Sequence, residues 1–236
     1  MTPINQIMRA NGGEFSLGAS LGSGFRLAFR HWKIWSVLGL IVAIAAWFFF
    51  YQFLRMFFSI FENMDPNKPP SSGYQIYLDH PQLMIFAISF MIVGVLLMPF
   101  VYNVAYHSLF KDKVGWGDLF DGIPYLRVLG ACILVLLITT VLSFIPWVGG
   151  LLSLIISPFF LFLPYSAIEG RAFSEALKLT ARHYFPLLGL YFLIGIVGAV
   201  GCIIFPIMFG PFLASAVAYG MIRSQEENRA TRKAAI

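Results

Sequence analysis

The sequence predicts an all-α membrane protein: six transmembrane helices as three hairpins, each preceded by a cytoplasmic interfacial amphipathic helix. Three observations carry this. Of 236 residues, 59% are hydrophobic and only 11% are charged, against roughly 25% charged in an average soluble domain. Four windows free of Asp, Glu, Lys and Arg are each long enough for the 20 or so apolar residues that cross a hydrocarbon core about 30 Å thick. Two of these windows are about twice that length, and each carries Pro and Gly near its middle. A soluble domain of this size could not hide so much apolar surface behind a polar exterior. The composition also excludes disorder, a disulfide-stapled secreted fold and an ordinary cytosolic enzyme. No alternating strands of a β-barrel are present.

The elements follow in order. The window between Lys33 and Arg55 places a span at 34–56, and the apolar part between Asp79 and Lys111 places a second at 83–106. Between Arg127 and Glu169, the breaker Pro146-Trp147-Val148-Gly149-Gly150 divides the window into spans at 127–145 and 149–167. Between Arg182 and Arg223, the stretch from Pro206 to Gly210-Pro211 divides it into 186–205 and 207–222. Pro and Gly end helices and permit tight reversals.

Six spans put both termini on one side. Of the 16 Lys and Arg, only Arg55 and Lys68 fall on the other side, which makes the terminal side cytoplasmic. The expected location is a bacterial inner membrane, multi-pass. The net charge of +5 then describes a basic cytoplasmic face suited to anionic lipid headgroups. It does not suggest nucleic acid, because no long basic run or nucleic-acid motif accompanies it. The first apolar stretch starts late and is too long for a signal-peptide core, so an uncleaved anchor is expected. No lipidation motif is found.

The chain reads as one membrane domain over 1–236. Its repeat-like units run over about 14–107, 114–168 and 170–223, with a tail at 224–236. Phe25-Arg26-Leu27-Ala28-Phe29-Arg30-His31-Trp32 aligns without gaps on Leu177-Lys178-Leu179-Thr180-Ala181-Arg182-His183-Tyr184. Each stretch runs on into a Leu-Gly-Leu, at 38–40 and 188–190. The segment 116–130 is a looser third copy. Helical spacing puts Leu17, Leu21, Phe25, Ala28 and Trp32 on one face, with Arg26, Arg30 and Lys33 as a separate basic stripe. In the last unit Phe173, Leu177, Thr180 and Tyr184 face one way and Ser174, Lys178 and Arg182 the other. That pattern suits helices lying in the interface and turning sharply into their spans near His31 and His183. Arg26, Arg30, Lys33, Lys178 and Arg182 are thus the candidate contacts to headgroups or a partner.

The motifs Phe15-Ser16-Leu17-Gly18 through His31-Trp32, and Phe173-Ser174-Glu175-Ala176-Leu177 with His183-Tyr184-Phe185-Pro186-Leu187-Leu188-Gly189, resemble a group of uncharacterised alphaproteobacterial-type inner-membrane proteins. More distantly the chain resembles the membrane domain attached to some glycerophosphodiester phosphodiesterases, and YciC-type membrane proteins. The resemblance covers nearly the whole chain and implies a six-span helical bundle. It implies no catalytic residues, since the phosphodiesterase activity belongs to a separate soluble domain.

Chemistry-bearing motifs are sparse. No Walker loop, dinucleotide fingerprint, Gly-x-Ser-x-Gly elbow or His-Glu-x-x-His occurs. Catalytic, cofactor-binding and metal residues are therefore all assigned as none. His31, His107 and His183 fall at one depth near Asp118 and Asp121, but without metal-ligand spacing. Cys132 and Cys202 fall in opposite leaflets and cannot pair. Gln52 and Asn103 are the strongest buried polar candidates. Small residues recur every four positions at Gly210-Ala214-Ala218, at Gly195-Ala199 and at Gly198-Cys202, which lets helices approach closely or a second copy dock. The expected function is non-enzymatic: membrane-organising, accessory or lipid-sensing, with lipids, a protein partner or a homo-oligomer as contacts. The alternative is a lipid or small-molecule translocator, for which Pro158 and Pro164 would supply a broken helix.

Overall fold

The computed structural model describes residues 2–62, 81–143, 145, 149–200 and 205–234. Asp65, Lys68, Asp79 and His80 of the expected outer loop, the 146–148 turn and Cys202 lie outside the described residues. Among the described residues every regular element is helical. The α-helices are α1 (Pro3–Ala10), α2 (Leu17–Arg30), α3 (Trp32–Glu62), α4 (Pro81–Phe110), α5 (Tyr125–Ser143), α6 (Gly149–Ile156), α7 (Leu163–Ile168), α8 (Phe173–Arg182), α9 (Tyr184–Val200) and α10 (Phe205–Ala234).

Four segments are long and apolar enough to cross a membrane: Trp32–Ser59, Pro81–Phe110, Tyr125–Leu142 and Gly149–Ile168. The bent pair α8–α9 adds a fifth if it counts as one span. The most apolar windows of α3 and α4 are each only 12% buried inside the protein. Their exposed Ile41, Ile44, Trp47, Phe48, Ile85 and Ile92 would be untenable in water and suit a lipid surround.

α10 behaves differently. Gly210, Pro211 and Leu213 through Ile222 are buried, so this stretch is enclosed by protein. Its closest neighbour is α2. A Cβ on Gly24 would stand 2.6 Å from both the Ala214 Cα and the Gly210 carbonyl oxygen, and a Cβ on Gly210 would strike the Phe25 ring. Only glycine permits that approach. The stripe at Gly210 and Ala214 thus meets α2 rather than its hairpin partner. Around Gly195, by contrast, an added Cβ would meet nothing within 4 Å.

The buried face of α2 departs from the expected apolar stripe. Ser20, Ser23, Gly24, Leu27 and Ala28 are buried, while Trp32, just beyond the helix end, is half exposed. On α8 the buried residues are Ala176 and Thr180 rather than Phe173 and Leu177. Small side chains form the contact seam because they let backbones approach, and the large apolar ones flank it.

The corners fall where expected. α2 ends at His31 and α8 at His183, with similar backbone angles (φ −106°, ψ 28° and φ −121°, ψ 27°). α8 and α9 meet at 96°. The equivalent pairs Gly24 and Ala176, Ala28 and Thr180, Trp35 and Leu187, and Leu38 and Leu190 are buried in both units.

The middle unit corrects the expected layout. Before α5 there is no amphipathic α-helix, only a 3₁₀ turn at Trp116–Leu119. Gly122 has φ +61°, and Pro124 disfavours helical backbone at Ile123, so helix starts only at Tyr125. The last reversal also shifts. α9 runs to Val200 and α10 begins at Phe205, which places Pro206 in its first turn, where proline is tolerated, and Pro211 inside the helix.

Candidate functional site: a charged face at one end of the bundle

The polar chemistry gathers where α1, the C-terminal ends of α4 and α10, the loop 111–121, residues 169–171 and α8 meet. At its centre is Glu169, whose side chain is 7% exposed. Local geometry aims it inward. Gly170, at φ +72°, closes α7 with a left-handed turn in which the Arg171 amide donates to the Ser166 carbonyl at 3.0 Å. That turn brings the Arg171 Nε back to Glu169 at 2.8 Å.

Tyr106 of α4 donates to Glu169 at 2.9 Å and Tyr219 of α10 donates at 2.8 Å. The Arg223 guanidinium also bonds Glu169, and its Nε reaches Glu227 at 2.9 Å. Arg171 bridges to Glu227 at 2.9 Å as well. Tyr219, Arg223 and Glu227 recur every four residues, so one face of α10 supplies all three. Four donors occupy the acceptor capacity of the Glu169 carboxylate. The arrangement therefore clamps α4, α7 and α10 together and leaves no lone pair aimed at a substrate. Above the clamp, Tyr165 stacks on Tyr219 at 5.6 Å, bonds the Ser215 hydroxyl at 3.0 Å and meets Tyr102 edge-on at 5.1 Å.

A second knot holds the loop after α4. The Asn103 amide donates to the Asp118 carbonyl at 2.8 Å, and Asp121 and Leu119 lie on the same donor. Lys111 pairs with Asp118 and, at 3.2 Å, with Asp121. Burial pushes the Asp118 carboxyl upward, but the hydrogen bonds from Lys111 and the Gly115 amide outweigh it and hold the group below its usual range. Asn103 is thus a loop tie near the end of α4, and among the described residues its buried Oδ1 has no partner. Gln52 lies part-buried along α3.

The five cations singled out by the sequence are all exposed. Arg30 pairs with Asp112 at 3.0 Å, and Arg182 meets Glu226 of α10 at 2.6 Å. The Arg182 bond holds the Glu226 carboxyl below its usual range against a smaller opposing push from burial. Among the described residues no carboxylate stands within ion-pair distance of Arg26, Lys33 or Lys178. Among the described residues the set therefore divides into two paired and three unpaired charges. His107 lies 3.2 Å from the Asp121 carbonyl, and among the described residues no group of three His, Cys, Asp or Glu is placed to hold a metal ion.

No family model, curated protein or solved structure matches the chain.

Sequence reasoning missed the Glu169 clamp because its members stand 63 and 50 positions apart along the chain. One signal was available: Tyr219-x₃-Arg223-x₃-Glu227 at helical spacing just where the apolar run ends. α1 was also missed. Its Ile4 and Met8 are buried, and Ile4 packs over Gly220, which Leu109 also borders, at the same charged end.

Proposed function

We propose that the chain is a six-span protein of a bacterial inner membrane with both termini in the cytoplasm. On this reading it has no catalysis of its own and acts as a membrane-organising, accessory or lipid-sensing protein. One observation carries it: the segregation of charge. The clamp, the loop knot and the unpaired cations share one end of the bundle, whereas Gly149–Ile168 and Tyr184–Val200 hold no Asp, Glu, Lys or Arg. The sixth span is the apolar half of α10, sheathed by α2. Its partners are anionic lipid headgroups at the cytoplasmic face, and a protein partner or a second copy of the chain is compatible with the same face. Nucleic acid is not among them. The likeness to alphaproteobacterial inner-membrane proteins points the same way.

Arg26, Lys33 and Lys178 supply the attraction, each on the order of 1 kcal/mol toward an anionic surface. Replacing all three with Gln should weaken docking roughly a hundredfold. The test compares this triple variant with Gln52→Ala plus Ser166→Ala, at matched membrane expression, in an assay that scores the deletion strain. Greater impairment by the basic triple is expected. A silent triple beside an inactive polar pair would overturn the reading in favour of translocation. That second reading, a lipid or small-molecule translocator, draws on the broken segment 149–168. There a 3₁₀ turn at Ser157–Phe160 separates α6 from α7, and the buried Ser166 hydroxyl has no partner among the described residues.

A further inference from the structure

A groove of about 490 Å³ runs between α1 and α2 on the charged end of the molecule. Its floor is α2, where Gly18 and Gly22 contribute no side chain and lead to Arg26 and Arg30. Its opposite wall is α1, which contributes Ile7 and Ala10. The open floor is real space. A Cβ on Gly22 would meet nothing within 4 Å, and one on Gly18 would only touch the Ser16 hydroxyl at 4.0 Å. This contrasts with Gly24, on the opposite side of the same helix, whose missing Cβ is filled by α10. Glycine at 18 and 22 makes α2 a weaker helix than alanine there would. Among the described residues nothing occupies the room those two glycines leave.

We infer that this groove seats the glycerophosphate headgroup of an anionic phospholipid. Complementarity of charge selects that occupant. The groove ends in two guanidinium groups. Asp112 already neutralises Arg30 in part, while among the described residues no carboxylate reaches Arg26. Arg26 is thus the free fork, and a phosphate oxygen pair matches its geometry bidentately. The apolar wall of Ile7 and Ala10 suits the glycerol backbone and the first methylenes of the acyl chains. The inference rests on the proposed lipid-facing role and narrows it to one site.

The test is native mass spectrometry of the detergent-purified full chain titrated with phosphatidylglycerol or phosphatidylcholine. Four variants are compared with wild type: Gly22→Leu, Gly18→Leu, Arg26→Gln and Lys113→Gln. The first two fill the groove, the third removes the free fork, and Lys113, exposed in the loop after α4, is a basic control. Wild type should retain phosphatidylglycerol in preference to phosphatidylcholine. Gly22→Leu, Gly18→Leu and Arg26→Gln should each lower that retention about tenfold or more, with Lys113→Gln unchanged. Thermal unfolding reports whether the leucine variants stay folded, and both should, since the added Cβ enters open space at either position. If the leucine variants bind as wild type, or Lys113→Gln falls as far as Arg26→Gln, the groove is not the site although the basic face still attracts lipid. If wild type shows no preference for the anionic lipid, both the groove and the lipid-facing role fail. If inorganic phosphate at millimolar concentration fully displaces the lipid, the groove is a phosphate-ion site and the headgroup assignment falls.

Discussion

At the scale of single residues, Glu169 is the group on which most of the charged end depends. Removing a buried partner leaves the remaining charges and hydroxyls uncompensated, at about 3–5 kcal/mol. Glu169→Ala is therefore expected to lower the unfolding midpoint in detergent sharply. Glu175→Ala, whose carboxylate is half exposed and 3.7 Å from Arg171, should stay within about 0.5 kcal/mol of wild type. His31 offers a pH-dependent test at the α2–α3 corner. Burial lowers its affinity for protons, Arg30 acts in the same direction, and Asp112 opposes them. The folded chain thus takes up this proton at lower pH than the unfolded chain. Its stabilising contribution is complete above the ordinary histidine value of about 6.5 and declines as pH falls toward the folded value. Wild type should lose more thermal stability than His31→Gln between about pH 7.5 and 5. Equal losses would remove His31 as the cause. Neither role was legible in the sequence. Glu169 looked like one more charge bordering a span, and His31 like a boundary residue, because burial by distant segments leaves no trace in local spacing.

At the scale of elements, the helices themselves were legible and their contact faces were not. The spans follow from apolar length, and the corners at His31 and His183 from the change of pattern. The seam of α2 was misplaced because hydrophobicity marks large side chains, whereas close helix packing selects small ones such as Ser20, Gly24 and Ala28. The missing helix before α5 has the same kind of cause: the apolar spacing was present, but Gly122 and Pro124 overrode it. The seam can be tested with a pair of equal changes. Gly24→Ala places a Cβ 2.4 Å from the Ala214 nitrogen, so α2 must move off α10, at about 1–3 kcal/mol. Gly22→Ala enters open space and should be neutral, or stabilising by up to about 1 kcal/mol. Unfolding curves for the two variants decide it, and similar destabilisation by both would contradict the observed α2–α10 contact.

At the scale of the whole molecule, the structure separates a lipid-facing part from a protein-enclosed part. α3, α4 and α5 expose most of their apolar surface, while the first half of α10 forms the axis on which α1, α2 and α4 converge. Composition and charge spacing made the membrane class legible, because length and absence of charge are local properties. The enclosure of α10 was not, since an apolar helix reads alike whether lipid or protein surrounds it. The Glu169 clamp, the α1–α2 groove and the unpaired cations all lie at one end, and the proposed role requires that end to face the cytoplasm. The measurement is sulfhydryl labelling in right-side-out and inverted membrane vesicles, in a background with Cys132→Ala and Cys202→Ala. Lys113→Cys and Ser174→Cys, both exposed at the charged end, should react with a membrane-impermeant reagent only in inverted vesicles, and Ser71→Cys only in right-side-out ones. Labelling of Ser174→Cys from the outside, or of Ser71→Cys from the cytoplasmic side alone, would contradict this orientation.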